Sequence, residues 1–197
     1  MISWNTICQP KINDSLGFKN LDGMNKSLLI KVGWGSISSL SSLWVQVLTT
    51  KYGVNLSTLP TELPGRHGSH LWRSLKKVWT DILSGVAWTI GNGTKVRFWL
   101  DLWMLKEKLL IFEAILPILD NIISGVVADF IDNNSSWRLD LFEHYLPHNI
   151  ILRIAFSVPP LAHRGHDCVY WASSKNGDFS VKSAYHAINS HRYLVAD

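Results

Sequence analysis

His163, His166 and Cys168 fall within six positions and flank Asp167. Imidazole nitrogen and thiolate sulfur are donors that zinc accepts, so this cluster is the first place to look for chemistry. His144 and His148 add a second pair at i, i+4. A structural zinc site needs four ligands at consistent geometry, however. The two cysteines, Cys8 and Cys168, offer no Cys-x-x-Cys spacing. Loop histidines following Pro159-Pro160 are the simpler reading, and no metal site is expected.

Other reactive side chains lead no further. Asp140 and Glu143 could form a carboxylate pair, but the solvated face of a short helix explains them equally well. Ser183 and Tyr185 stand near His186 without the strand–turn–helix elbow or the third orienting group that nucleophilic catalysis requires. No Gly-rich loop followed by Lys-Ser/Thr is present to cradle a phosphate. The expectation is therefore no catalytic residue, no cofactor and no enzymatic activity in this chain.

Basic residues make the remaining functional pattern. Arg73, Lys76, Lys77, Lys95 and Arg97 come from adjacent elements, and if they converge they could contact the phosphates of RNA or DNA. The net charge of +4 is uneven. Residues 1–110 carry thirteen Lys/Arg against six Asp/Glu, and the remainder carries six against nine. A basic front half suits nucleic acid or an acidic partner, although ordinary solubilising charge looks the same.

Of the 197 residues, 47% are hydrophobic and only 17% charged, which excludes a disordered chain. Ten tryptophans imply large buried faces. Two cysteines exclude a disulfide framework, and the opening residues lack a secretory signal, so an intracellular location is expected. The greasiest stretch, 109–131, is interrupted by Glu113, Pro117, Asp120 and Asn121. It reads as core and amphipathic helix rather than a membrane span.

These residues need elements to hold them. Positions 25–37 predict a helix with Leu28, Leu29 and Val32 on one side, weakened by Gly33 and Gly35. Ser41 predicts the cap of a second helix running to residue 52. Residues 69–83 predict a third, with Leu71, Trp72, Leu75, Val78, Trp79 and Ile82 in one stripe and Arg73, Lys76 and Lys77 facing water. Between the last two, 56–68 contains Pro60, Pro64, Gly65 and Gly68 and reads as a linker. Short helices are expected at 126–131 and 139–145, with another starting at Pro147. Ser180 should cap a final helix whose apolar side holds Val181, Ala184, Tyr185 and Ile188.

Two hairpins complete the reading. Around Gly91-Asn92-Gly93, a two-residue turn would mix polar and apolar faces. A three-residue loop instead pairs Trp88 with Val96 and Val86 with Phe98, with Gly93 left-handed. The second hairpin, 167–179, pairs Trp171 with Phe179. Asp101 could cap a following turn, bind the hairpin backbone or meet a partner's cation. The fold class is α+β: a helical front, then small hairpins with short helices.

One stretch has unusual identifying power: residues 88–103 hold three of the ten tryptophans around the Gly-Asn-Gly turn. Trp88, Gly91, Asn92, Gly93, Phe98, Trp99, Asp101 and Trp103 form a signature. So do Trp171, Gly177 and Phe179-Ser180-Val181-Lys182-Ser183-Ala184-Tyr185. With Trp4, Cys8, Pro10-Lys11, Leu16-Gly17, residues 25–34, Leu43-Trp44, Lys51-Tyr52 and Trp79, these blocks run in order along nearly the whole chain. The chain resembles plant LINE-type (non-LTR) retroelement reverse transcriptases, sequences that often carry a ribonuclease H label. The matching region lies between the polymerase core and the zinc-binding reverse-transcriptase-associated domain.

The resemblance implies that polymerase aspartates lie upstream, and that zinc ligands and ribonuclease H carboxylates lie downstream. It also implies that the missing flanking domains of the parent polyprotein are partners. Asp14-Ser15 and Gly35 depart from the family pattern and suggest a degenerate fragment. The implied division is 1–55 helical, 56–68 linker, 69–160 helix plus Trp-rich hairpin, and 161–197 the start of a truncated zinc-binding domain. The expected role is a non-catalytic scaffold or nucleic-acid-positioning segment. The alternative is a host-retained interaction module with Trp-rich faces.

Overall fold

A computed structural model describes residues 7, 8, 16, 18–65, 68–105 and 108–193, with side chains through Asn189. Trp4, Pro10-Lys11, Asp14-Ser15 and Gly17 lie outside the described residues. The fold is α+β with a helical N-terminal part, and the chain divides into two compact units. Residues 1–85 and 173–197 make the first, and 86–172 the second. These limits differ from the divisions at 55, 68 and 160 read from the sequence.

In the first unit, α1 (Leu21–Ser38), α2 (Leu43–Tyr52), α3 (His70–Gly85) and α6 (Val181–Tyr193) form the frame. The side of α1 that is buried holds Ser27, Ile30, Gly33, Ser36 and Ile37. The sequence pointed to Leu28, Leu29 and Val32, yet Leu28 is 48% exposed. Packing against both α3 and α6 explains the difference, because two close neighbours demand small side chains. A Cβ at Gly33 would overlap Ile82 Cδ1, and one at Gly23 would press on Tyr185 at 3.0 Å.

Gly33→Ala should therefore destabilise the protein by about 1–3 kcal/mol through overpacking. Ile82→Val removes the offending methyl. In the Gly33→Ala background it should stabilise, whereas alone it should cost about 0.5–1.5 kcal/mol. Urea midpoints of the two singles and the double check this. A double variant weaker than Gly33→Ala would contradict it.

Caps follow local chemistry. Asn20 Oδ1 accepts from the Gly23 N–H, and the Asn20 N–H donates to the Tyr185 hydroxyl at 2.9 Å. Ser42, one residue beyond the expected Ser41, starts α2, and Gly53 ends it with φ 60°. Ser180 and Ser183 cap α6 reciprocally: Ser183 N–H donates to Ser180 Oγ, and Ser180 N–H to Ser183 Oγ.

On α3 the inner stripe is Trp72, Leu75, Val78, Trp79 and Ile82, while Leu71 is 40% exposed rather than part of it. The described part of 56–68 packs against this helix. Leu56, Leu59 and Leu63 are buried, and the Pro60 and Pro64 carbonyls accept from the Trp79 and Trp72 indoles.

The second unit contains the one described sheet, β1 (Val86–Thr89) antiparallel to β2 (Cys168–Trp171). The register is Val86↔Trp171, Ala87↔Tyr170, Trp88↔Val169 and Thr89↔Cys168. Neither expected hairpin forms: the leading strand of one pairs with the leading strand of the other. Residues 93–98 instead run beside 125–128, through Ala128 N–H to Gly93 O, Val127 N–H to Val96 O and Phe98 N–H to Gly125 O. Gly93 is left-handed as expected, at φ 71°. Phe179 does not face Trp171 but stacks on Trp34 at 5.9 Å.

Within 109–131 the chain makes a 3-10 turn (Leu110–Glu113), an extended run, α4 (Asp120–Ile123) and a second 3-10 turn (Val127–Phe130). Phe112, Ile115, Leu116 and Leu119 are exposed, so this stretch is only partly core. A 3-10 turn (Leu139–Leu141) and α5 (His148–Ala155), entered through Pro147, follow. Among the described residues no single helix is long and apolar enough to cross a membrane.

Candidate nucleic-acid interface

α3 buries its indoles inward, so its polar residues must point outward. Arg73, Lys76 and Lys77 are all exposed. Among the described residues the Arg73 and Lys77 side chains have no hydrogen-bond or ion-pair partner, and Lys76 Nζ donates to the Gly65 carbonyl at 2.5 Å. The sole acidic residue of α3, Asp81, is engaged by Lys26 Nζ at 2.8 Å. The positive face is thus not neutralised by its own helix. Charge partition reinforces it: the first unit holds twelve Lys/Arg against six Asp/Glu, a net +6, and the second seven against nine, a net −2.

Lys95 and Arg97 belong to the second unit, and the α3 trio to the first. Arg97 is held internally: its N–H donates to Asp101 Oδ2 at 2.7 Å, and its Nε and Nη2 reach Asp101 Oδ1 at 3.2 and 2.6 Å. The Asp101 side chain is only 5% exposed. Of the roles open to Asp101, binding the backbone of this loop is the one adopted, and the cation it meets is the chain's own. A guanidinium committed to a buried carboxylate is a poor phosphate ligand.

The residue that sequence reasoning missed is Asp167. Its Oδ1 accepts from the N–H groups of Gly91 and Gly93, each at 2.8 Å, and its Oδ2 from Lys95 N–H at 3.0 Å. Successive N–H groups of a tight loop form a concavity that attracts an anion, and here the anion is a side chain 76 residues away. The signal was available: a Gly-Asn-Gly-Thr-Lys loop presents donors that something must accept. Asn92 serves only its neighbour, taking the Thr94 hydroxyl at 2.9 Å. His163, His166 and Cys168, the flanking candidates, are all exposed. Among the described residues no three His, Cys, Asp or Glu side chains gather closely enough to hold a metal ion.

The rest of the signature builds core. Phe98 stacks on Phe130 at 4.0 Å and meets Trp99, Trp103 and Phe142 within 5.4 Å. Trp103 Nε1 donates to the Phe98 carbonyl at 2.8 Å. Trp88 and Trp99 are buried, as are Trp72, Trp79 and Trp171.

Beside the N-terminus of α3, Tyr52 receives the Ser69 N–H at 2.9 Å and contacts Ser69 Oγ at 3.1 Å. The Ser69 hydroxyl first, then its N–H, and then the Lys51 charge hold the phenol below its ordinary 10.0, with desolvation opposing them. A lowered folded-state value contributes nothing at neutral pH. Its contribution appears as pH rises through that value, and is complete above the unfolded one. In an ultraviolet titration one tyrosine should ionise ahead of the others, and Ser69→Ala should return it towards them. Simultaneous ionisation of all five tyrosines would contradict this.

Comparison with known proteins adds lineage to this geometry. No family model matches, and no solved structure matches. A curated Arabidopsis thaliana protein named "Putative ribonuclease H protein" is 32% identical over 94% of this chain. An "Uncharacterized mitochondrial protein" of the same plant is 30% identical over 54% of this chain and 69% of its own length. Both are plant retroelement-derived. The chain belongs to this plant retroelement-derived family. It spans only 30% of the length of the ribonuclease H relative. In this family member, the signature residues Phe179, Ser180 and Tyr185 act in helix docking and capping, and Trp88 to Trp103 in the core around the Asp167 anchor.

Proposed function

We propose that this chain is a non-catalytic scaffold segment of a LINE-type reverse transcriptase/ribonuclease H polyprotein, and that it positions nucleic acid through α3. The observation that carries this reading is the exposed, unneutralised trio Arg73, Lys76 and Lys77 on a unit of net charge +6. Alignment of nearly the whole chain to less than a third of a much longer relative supports a segment role. In this reading polymerase and nuclease chemistry belong to other parts of the parent.

Degeneracy is part of the proposal. A Cβ at Gly35 would meet only Trp44, at an ordinary 3.6 Å, so packing does not demand glycine there. Loss of a side chain at that point reads as erosion.

Labelled nucleic acid titrated with the full chain at low salt tests the reading. Binding should weaken steeply as salt rises, and Arg73→Ala/Lys76→Ala/Lys77→Ala should abolish most of it. No binding at low salt would refute it.

A protein-interaction role is the second reading, and one observation favours it. Ile111, Ala114, Ile115, Leu116, Pro117, Ile118 and Ile123 line an aliphatic recess of about 390 Å³ on the second unit. The surface concerned is aliphatic. Five indoles are buried in the two cores, while Trp44 on α2 is 41% exposed and remains open to a partner.

A further inference from the structure

We infer that the α3 face is a base-blind track for the sugar–phosphate backbone of duplex nucleic acid. The inference rests on the nucleic-acid reading above and specifies its ligand. His70, Arg73, Lys77 and Thr80 are all exposed and stand at i, i+3, i+7 and i+10. That spacing draws a nearly straight row of donors about 15 Å long, from a rise of about 1.5 Å per residue. Lys76 widens the row on one side.

Three features decide what such a row can hold. Single strands are gripped largely by stacking bases on aromatic rings. Apart from the His70 imidazole at its start, this face offers none among the described residues: Trp72 and Trp79 are 1% and 2% exposed. Their N–H groups are tied to the Pro64 and Pro60 carbonyls, and the Tyr52 ring lies flat on Trp72 at 4.1 Å.

Reading base edges, in turn, requires a helix that enters the major groove. α3 is walled in. On one flank α1 is fastened to it by Lys26–Asp81. On the other, the indole bonds and Lys76 Nζ to Gly65 O hold the 60–65 segment alongside. A helix held along both edges presents only its outward row of donors, and these meet the sugar–phosphate backbone first.

The third feature is rigidity. Donors fixed along a packed helix match phosphates whose spacing is already fixed in a duplex, whereas a single strand must first be ordered.

Fluorescence anisotropy with the full chain separates the possibilities. The probes are a short DNA duplex, each of its strands alone, and a second duplex of unrelated sequence. The duplex should bind several-fold more tightly than either strand, and the two duplexes should agree within about twofold because phosphate contacts carry no sequence information. In Arg73→Ala/Lys76→Ala/Lys77→Ala, the slope of log affinity against log salt should become shallower by about 2.7, or about 0.9 for each lost phosphate contact. Circular dichroism should be unchanged, since these are exposed positions. A strand that binds as well as the duplex, or a strong preference between duplexes, would overturn the inference while leaving α3 as a nucleic-acid surface. A salt slope indifferent to the triple substitution would overturn both.

Discussion

Asp167→Ala should lower the stability of the protein by about 3–5 kcal/mol, since each buried N–H left without its acceptor costs about 1–3 kcal/mol. Three donors lose their partner at once: Gly91, Gly93 and Lys95. Asp167 is only 6% exposed, so water cannot readily replace the carboxylate. Whole domains are stable by only about 5–15 kcal/mol, so the loss would consume much of the margin. Asp167→Asn should fall between parent and alanine. Its single carbonyl oxygen can serve Gly91 and Gly93, while its amide opposes the Lys95 N–H. Urea denaturation followed by indole emission reads the effect, and an alanine variant as stable as the parent would show that the loop holds itself.

Gly91→Ala attacks the same junction sterically. The new methyl would lie 2.6 Å from the Gly165 carbonyl oxygen and 2.7 Å from that of His166. Both obstacles are backbone, so no rotamer change relieves them. A loss of about 3 kcal/mol is expected, at the upper end of overpacking. Moving residues 165–166 also drags Asp167 from its donors, which couples the two sites. In the Asp167→Ala background that segment is already released, and Gly91→Ala should cost markedly less than alone. A double-mutant cycle measures the coupling. Strict additivity would mean that the clash and the hydrogen bonds are independent.

The helices were legible because their determinants are local. The stripe from Trp72 to Ile82, the serine before Val181 and the proline before His148 each lie within a turn or two of what they specify. Small departures, such as Ser42 for Ser41, stay within a residue. The buried side of α1 was misread because its environment is set by two other helices, and periodicity counts apolar residues rather than close approaches.

The sheet was illegible for a different reason. Alternation in Val86-Ala87-Trp88 says that a strand has an inner face, but any antiparallel partner satisfies it. The true partner stands some eighty positions on and was itself read as half of a hairpin. Asp167 was hidden in the same way. Its neighbours His166 and Cys168 suggested metal chemistry, while the donors it serves lie on the far side of the unit's sequence. The basic trio of α3 was visible as charge, but its freedom from acidic partners depends on Lys26 taking Asp81, which no spacing announces.

The first unit is discontinuous, and this has a consequence for how the chain is made. The hydroxyl that receives the Asn20 N–H belongs to Tyr185, 165 residues later. A ribosome must therefore pass position 185 before the helices that follow Asn20 can close their interior. The intervening 86–172 stretch holds its own β1–β2 pair and is finished earlier, although it begins later. Assembly thus runs from the middle outwards, and a nascent product halted anywhere before position 185 would carry its first helices uncovered.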